Sequence, residues 1–161
     1  MHTSNEPDAP GFYLSVGDTC SFAKTISEAD VYLFAGVTGD FSPNHVNAEF
    51  MATSAYGQRV AHGALLVGLM STTSTMMVAR SRSLQGPRET PVALGYDRIR
   101  FLRPVFFGDT ITVVYTVSAV DDVKRRTTAD IRLTNQRDEL VCAAVGILKW
   151  VTDTTEQARS L

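Results

Sequence analysis

Apolar and polar positions follow different periods in the two halves of the chain. In the first half, "SEADVYLFAGVTG" offers Ser27 as a helix N-cap, acidic residues in the first turn and glycines at the end. This pattern predicts a short helix that ends at Gly36 or Gly39. The preceding stretch, "DTCSFAKTI", has the composition of a strand, and the later "NAEFMATSAY" predicts a second short helix capped by Asn47.

The segment "HGALLVGLMSTTSTMMVAR" predicts one long helix, because it contains many helix formers and few breaks. At 1.5 Å per residue its length is roughly 25 Å. Apolar side chains surround this helix almost completely: Leu65, Leu66, Val67, Leu69, Met70, Met76, Met77 and Val78. We therefore expect it to be buried on most sides, with the hydroxyls of "TTST" bonded to the backbone one turn earlier.

The second half has the two-residue period of strands. In "TITVVYTVSAV", Ile111, Val113, Tyr115 and Val117 fall on one face, and "TTADIRLTN" repeats the alternation. "ELVCAAVGILKW" is apolar on both faces, as in a central strand. Together with "VALGYDRIRFL" before them, these strands predict an antiparallel meander. One long buried helix with a curved antiparallel sheet makes an α+β fold.

Composition and charge narrow the class of protein. With 161 residues and 44% hydrophobic content, we expect one domain over residues 13–161, after a flexible polar leader at 1–12. The formal net charge of -2 is well mixed along the chain and argues against nucleic acid or a membrane surface as a partner. Since we find neither a signal peptide nor a membrane span, we expect a cytoplasmic protein whose Cys20 and Cys142 are reduced core residues.

The stretch "GDFSPNH" contains the first candidate chemistry. On a continuous helix Asp40 and His45 would point about 140° apart, but Pro43 breaks the helix and favours Ser42 as the N-cap of a new turn that contains His45. The positive end of a helix keeps an imidazole neutral, and a neutral imidazole beside a carboxylate can take a proton from water. The residue types alone leave open an ordinary turn at Asp40 with His45 packed beneath the next helix.

A second candidate is "RVAHGALL", where Gly63 opens the long helix and leaves backbone N–H groups free to hold a carbonyl oxygen that gains negative charge. We count His62 with Gly63 and Ser71 among the candidate oxyanion and substrate-binding residues, and we expect its side chain to hydrogen-bond locally rather than to act in catalysis. Ser71, two turns further on, either bonds the backbone or reaches the pair formed by Asp40 and His45; the residues alone leave both open.

Other motifs are missing from the sequence. It contains no dinucleotide, Walker A, nucleophile-elbow or His-Glu-x-x-His motif. The histidines at positions 2, 45 and 62 lack the spacing of a metal site, so we expect no metal. Arg80, Arg82 and Arg88 are expected on a solvated loop, with the phosphates of a carrier such as coenzyme A as the alternative contact.

Taken in order, "GDFSPNH", "VAHGALL", Ser71 and "RPVFFGDTI" resemble the MaoC-like hydratase and dehydratase branch of the hot-dog superfamily, whose best-known members are the (R)-specific enoyl-CoA hydratases. The family motif reads approximately Gly-Asp-x-Asn-Pro-x-His. The likeness runs from about Gly17 to Val151. Ser42 stands where the family usually has asparagine, and Asp, Pro and His are all present.

This resemblance implies a hot-dog fold, in which a curved antiparallel sheet wraps one long helix, and a homodimer with active sites near the subunit interface. It assigns Asp40 and His45 to the pair that holds and activates water, the N–H of Gly63 to the thioester carbonyl, and Ser71 to a supporting contact with the pair. The implied reaction is reversible hydration of a trans-2-enoyl thioester to the (R)-3-hydroxyacyl thioester. It needs no cofactor, since coenzyme A or an acyl carrier protein arm enters as part of the substrate.

Two other functions fit the same fold. A hot-dog thioesterase would use a carboxylate and the same helix terminus to hydrolyse the acyl group, with attack at C1 and release of a thiol. A non-catalytic subunit would bind acyl thioesters without turnover, and Ser42 is the feature that points to it. An assay that follows both enoyl loss and thiol release separates the three functions.

Overall fold

The computed structural model describes residues 12–81 and 89–152. Its centre is a five-stranded, curved antiparallel sheet with the strand order β1-β3-β4-β5-β2. The strands are β1 (Thr19–Thr25), β2 (Glu89–Phe101), β3 (Thr110–Asp121), β4 (Arg126–Thr134) and β5 (Leu140–Thr152). The predicted leader, apart from residue 12, and both Arg82 and Arg88 lie outside the described residues.

Strand periodicity was predicted correctly, but one strand was given the wrong neighbour. Ile111, Val113 and Tyr115 are fully buried, as expected. Strands β3, β4 and β5 form the predicted meander, and β5 is an interior strand. Strand β2 pairs with β5 rather than with β3, because β1 already occupies the other edge of β3, from Thr19 opposite Thr116 to Thr25 opposite Thr110.

The long helix, α4 (Gly63–Arg80), is present as predicted and spans about 27 Å. Leu66, Met70 and Met77 are among the residues that it buries in the core. Its other face is exposed in the single chain, so the expectation of burial on most sides was wrong. That face contains mostly small residues: Ala64, Gly68, Ser71, Thr72, Thr75 and Ala79. The hydroxyls of Thr72 through Thr75 bond to backbone carbonyls three or four residues earlier, as predicted.

Three short helices precede α4: α1 (Glu28–Thr38), α2 (Pro43–Val46) and α3 (Ala48–Ala52). Ser27 and Asp30 form a capping box at the start of α1. This helix ends at Gly39 rather than Gly36, because Gly39 adopts the left-handed conformation, with φ of 79°, that a helix C-cap favours. Asn47 caps α3 by accepting a hydrogen bond from the N–H of Phe50.

Both cysteines are free and buried, as predicted. Burial raises the pKa of the Cys20 thiol and raises that of Cys142 to about 11. Within the described ranges, no helix combines the length and the hydropathy that crossing a lipid bilayer requires.

Candidate active site

The turn that holds Asp40 begins where α1 ends. Asp40 Oδ1 accepts a hydrogen bond from the N–H of Ser42 at 3.2 Å, and Pro43 is the first residue of α2. Ser42 occupies the N-cap position, but its side chain makes no capping hydrogen bond. The break predicted at Pro43 is therefore confirmed. It brings side-chain atoms of Asp40, His45 and His62 within 4.8 Å of one another.

The hydrogen bond of His45 determines its tautomer. Nδ1 lies 2.7 Å from the carbonyl oxygen of Val60. Because a carbonyl only accepts, Nδ1 carries the hydrogen, and in the neutral ring Nε2 keeps its lone pair. The half-buried His45 thus presents an unprotonated nitrogen, as a general base requires.

His62 is buried, with 2% of its surface exposed. Its ring stacks on the ring of His45 with centroids 3.7 Å apart, and its Nε2 donates to the backbone oxygen of Asp40 at 2.9 Å. The same nitrogen lies 3.9 Å from Asp40 Oδ2. A hydrogen bond was expected for His62, but its partner is Asp40 rather than a neighbour in sequence. Sequence reasoning missed the stacking, which has no signal in residue spacing.

The segment between the two histidines is held from both sides. The N–H of Val60 donates to the carbonyl of Asn44 at 3.0 Å, and the N–H of Ala61 donates to the carbonyl of Val105 at 2.8 Å. Asp109, from "RPVFFGDTI", is buried and accepts from the N–H of Phe106 at 2.9 Å. This element therefore braces the loop that carries His62.

Gly63 and His45 line one cavity of about 330 Å³. Gly63 begins α4, and its N–H makes no backbone hydrogen bond within residues 12–81 and 89–152, as expected for the first residue of a helix. A Cβ at this position would lie 2.8 Å from the ring of Phe101. Phe101 and Leu66 also line the cavity. Sequence reasoning missed Phe101, which comes from a distant strand.

Ser71 does not join this group within one chain. It lies on the exposed face of α4, and between the described residues its hydroxyl makes no hydrogen bond to Asp40 or His45. Its carbonyl accepts from the hydroxyls of Ser74 at 2.8 Å and Thr75 at 3.1 Å.

Asp40, His45 and His62 also lie close enough to bind a metal ion together, which their spacing in the sequence did not indicate. Two of the four imidazole nitrogens, Nδ1 of His45 and Nε2 of His62, are already bonded to backbone carbonyls. The remaining nitrogen of His62, Nδ1, is buried without a hydrogen-bond partner.

The sequence is similar to a known family and to proteins of known activity. The family described as "MaoC like domain" matches residues 15–138. The chain is 39% identical over 109 residues to an (R)-specific enoyl-CoA hydratase of Rhodospirillum rubrum, covering 68% of this chain and 69% of that protein. It is 30% identical over 136 residues to an (R)-specific enoyl-CoA hydratase of Aeromonas caviae, covering 84% and 95%.

Solved structures show the same likeness. The (R)-hydratase from A. caviae involved in PHA biosynthesis superimposes with a TM-score of 0.72 at 30% identity, covering 84% of this chain and 96% of that chain.

Proposed function

The chain belongs to the MaoC-like dehydratase family, and on that premise we propose that it is a hydro-lyase acting on coenzyme A thioesters. It adds water reversibly to a trans-2-enoyl thioester and gives the (R)-3-hydroxyacyl thioester. The observation that carries this proposal is one cavity lined by both His45, whose Nδ1 is bonded to Val60, and Gly63, whose N–H makes no backbone hydrogen bond among the described residues.

The thioester carbonyl accepts a hydrogen bond from the N–H of Gly63 at the start of α4. This bond stabilises negative charge on the oxygen and makes C3 electrophilic. Cavity volume and the glycine itself support this assignment, since Gly63 brings no side chain into the space that the carbonyl needs.

His45 Nε2 removes a proton from water as the oxygen attacks C3, and the C2–C3 double bond becomes an enolate. The Asp40 carboxylate, close to His45, orients the water and stabilises the imidazolium that forms. The pair formed by Asp40 and His45 then returns the proton taken from water to C2, which completes the product and restores the neutral imidazole. The hydrogen bond from Nδ1 to Val60 is kept in both charge states, so the ring keeps its orientation throughout.

No metal or redox cofactor takes part in the proposed reaction, because water addition involves no electron transfer and Gly63 supplies the polarising group. Coenzyme A, or an acyl carrier protein arm, enters with the substrate. We expect a chelator such as EDTA to leave the hydration rate unchanged. A rate that falls on chelation and returns with one added divalent cation would place that ion at Asp40, His45 and His62.

We propose that two copies of the chain pair through the exposed face of α4 and strand β2. Three observations support a dimer: the small residues on that face, the position of β2 at the edge of the sheet that the described residues form, and the exposed Leu94 and Leu102 on and beside it. In such a dimer Ser71 faces the partner subunit, where it can support the catalytic pair. Gly68→Arg should convert the dimer to monomers in sedimentation experiments.

The coenzyme A substrate also supports the cytoplasmic location expected from the sequence.

The testing experiment follows the ultraviolet absorbance of a short trans-2-enoyl-CoA together with a thiol reagent. Asp40→Asn and His45→Ala should each lower kcat by 10²- to 10⁴-fold, as loss of acid-base catalysis does (about 10²–10⁴). Asp130→Asn, an exposed acid on β4, is the matched control and should keep the rate. The raised pKa values of the buried cysteines keep the thiol background low.

Thiol release instead of hydration would identify a thioesterase. Neither signal with any acyl chain would identify a binding protein. Full hydration by both variants would remove Asp40 and His45 from the mechanism.

A further inference from the structure

His62 contacts both reactive residues without lining the cavity that holds the substrate. It donates from Nε2 to the carbonyl of Asp40 and stacks on His45 with an angle of 28° between the rings. Phe34 packs on it at a centroid distance of 4.9 Å. With 2% exposure, the ring has no access to water or substrate.

The hydrogen-bond pattern of His62 favours a positioning role. Its Nε2 carries a hydrogen, because the Asp40 carbonyl only accepts. Its Nδ1 is buried and has no partner among the described residues. A proton on Nδ1 would have no acceptor there, so the ring is suited to holding neighbours in place rather than to exchanging protons.

The turn around Asp40 depends on such support. The Asp40 side chain is 53% exposed. Besides the bond from His62, Asp40 bonds only to residues of the same turn among those described: its Oδ1 accepts from the N–H of Ser42, and its own N–H donates to Thr38 Oγ1. Helix α2 is only four residues long and has no side-chain cap. The hydrogen bond from His62 therefore ties the carboxylate-bearing turn to the start of α4.

We propose that His62 is a positioning residue with two separable actions. Its Nε2–H holds the backbone of Asp40, and its ring holds the plane of His45. This inference rests on the proposed function, since it assigns His62 to the geometry of that catalytic pair. A displacement of about 1 Å at such a pair costs on the order of 10²-fold in rate.

Three variants separate the two actions. His62→Phe keeps the stacked ring and loses the donor; His62→Gln keeps a donor at the same reach and loses the ring; His62→Leu loses both. We expect kcat to fall about 10-fold for Phe and for Gln and about 100-fold for Leu, with KM within threefold of the original value. Val31→Ala is the matched control: it opens the buried core beneath α1, lowers Tm and leaves kcat within threefold.

Double variants test whether His62 acts through its neighbours. In the Asp40→Asn background, His62→Phe should lower kcat by less than a further threefold, and His62→Gln should do the same in the His45→Ala background. Full, additive losses in these backgrounds would overturn the proposal, as would unchanged kcat in all three single variants or losses confined to KM. Failure of the proposed function is recognised separately: the original chain would then release thiol or show no turnover, or Asp40→Asn and His45→Ala would hydrate at the original rate.

Discussion

Polar groups near the start of α4 have few hydrogen-bond partners, whereas those near its end are paired and buried. At its start, no described residue forms a hydrogen bond with the N–H of Gly63 or with Nε2 of His45. The Asp40 side chain there is 53% exposed. Near its end, the Glu89 side chain is 8% exposed and accepts hydrogen bonds from Tyr13 Oη at 2.6 Å and Arg125 Nε at 3.0 Å.

Aromatic rings complete the pairing at the second end. The guanidinium of Arg125 lies 4.8 Å from the ring centre of Phe12 and 5.0 Å from that of Tyr13, and it also pairs with Asp122. The hydrogen bonds from Arg125 hold the pKa of Glu89 below its usual value. Tyr13 lines a cleft of about 280 Å³ together with Arg80, the last residue of α4.

This difference in hydrogen bonding distinguishes residues that stabilise the fold from residues that can react with a substrate. A charge that is fully paired and buried stabilises the fold and is unavailable to a substrate, whereas a group that is held by only one of its atoms keeps another for reaction. His45 shows the second case, with Nδ1 bonded and Nε2 open. Substitutions at the start of α4 should therefore reduce rate, and substitutions at its end should reduce stability.

The largest effect is expected from Gly63→Ala. The added Cβ would meet the Phe101 ring at 2.8 Å and enter the cavity beside the free N–H. Alanine keeps the backbone N–H, but its Cβ would shift the thioester carbonyl away from that donor. We therefore expect kcat/KM for enoyl-CoA hydration to fall by about 10²-fold, the order of the cost of a misplacement of about 1 Å. The exposed Phe101 ring can shift, so Tm should change by only a few degrees.

Gly36→Ala in α1 is the control for Gly63→Ala, since nothing lies within 4 Å of a Cβ there, and its rate should be unchanged. Gly63→Ala combined with Phe101→Ala tests the cause of the loss. A restored rate in that double variant would show that displacement of the Phe101 ring, rather than the Gly63 position, limits hydration.

Glu89→Gln should reduce stability and leave the hydration rate nearly unchanged, the reverse of Gly63→Ala. The variant removes the negative charge that balances the Arg125 guanidinium. It should therefore lower the free energy of unfolding by about 1–3 kcal/mol, with kcat/KM within twofold. Asp121→Asn removes the same charge at an exposed pair with Lys124 and should leave the urea unfolding curve nearly unchanged. Equal losses in urea unfolding for the two variants would mean that burial of Glu89 contributes nothing.

The same pair predicts a pH dependence of stability. Because the folded pKa of Glu89 is depressed, its contribution is fully present above the ordinary glutamate pKa of about 4.3 and is lost as pH falls through the lower folded value. Urea midpoints measured from pH 7 down to pH 3 should therefore fall less steeply for Glu89→Gln than for the original chain. Parallel curves would contradict the sign of the shift.

Ser42→Ala should have the smallest effect. The Ser42 side chain makes no capping hydrogen bond, while its backbone N–H, which the variant keeps, is the group that reaches Asp40. We expect stability within about 0.5 kcal/mol and kcat within threefold. A loss of tenfold or more in the hydration assay would show that the hydroxyl takes part in the site.

Much of the fold was predictable because its signals are local. Ser27, Gly39, Asn47 and Pro43 mark helix ends through hydrogen bonds and backbone conformations that involve residues only a few positions apart. The position of β2 was not predictable in this way. Antiparallel pairing with β3 and with β5 satisfies the same apolar alternation, and only the occupied edge of β3 decides between them.

The sequence by itself determined the secondary structure, the break at Pro43 and the start of α4 at Gly63, since each follows from short-range backbone constraints. Only the tertiary structure decided that His62 stacks on His45, that Phe101 lies against Gly63 and that Ser71 lies on the exposed face of α4 within one chain. Those contacts join residues from different elements, and their distances depend on how the sheet and α4 pack rather than on any spacing along the chain.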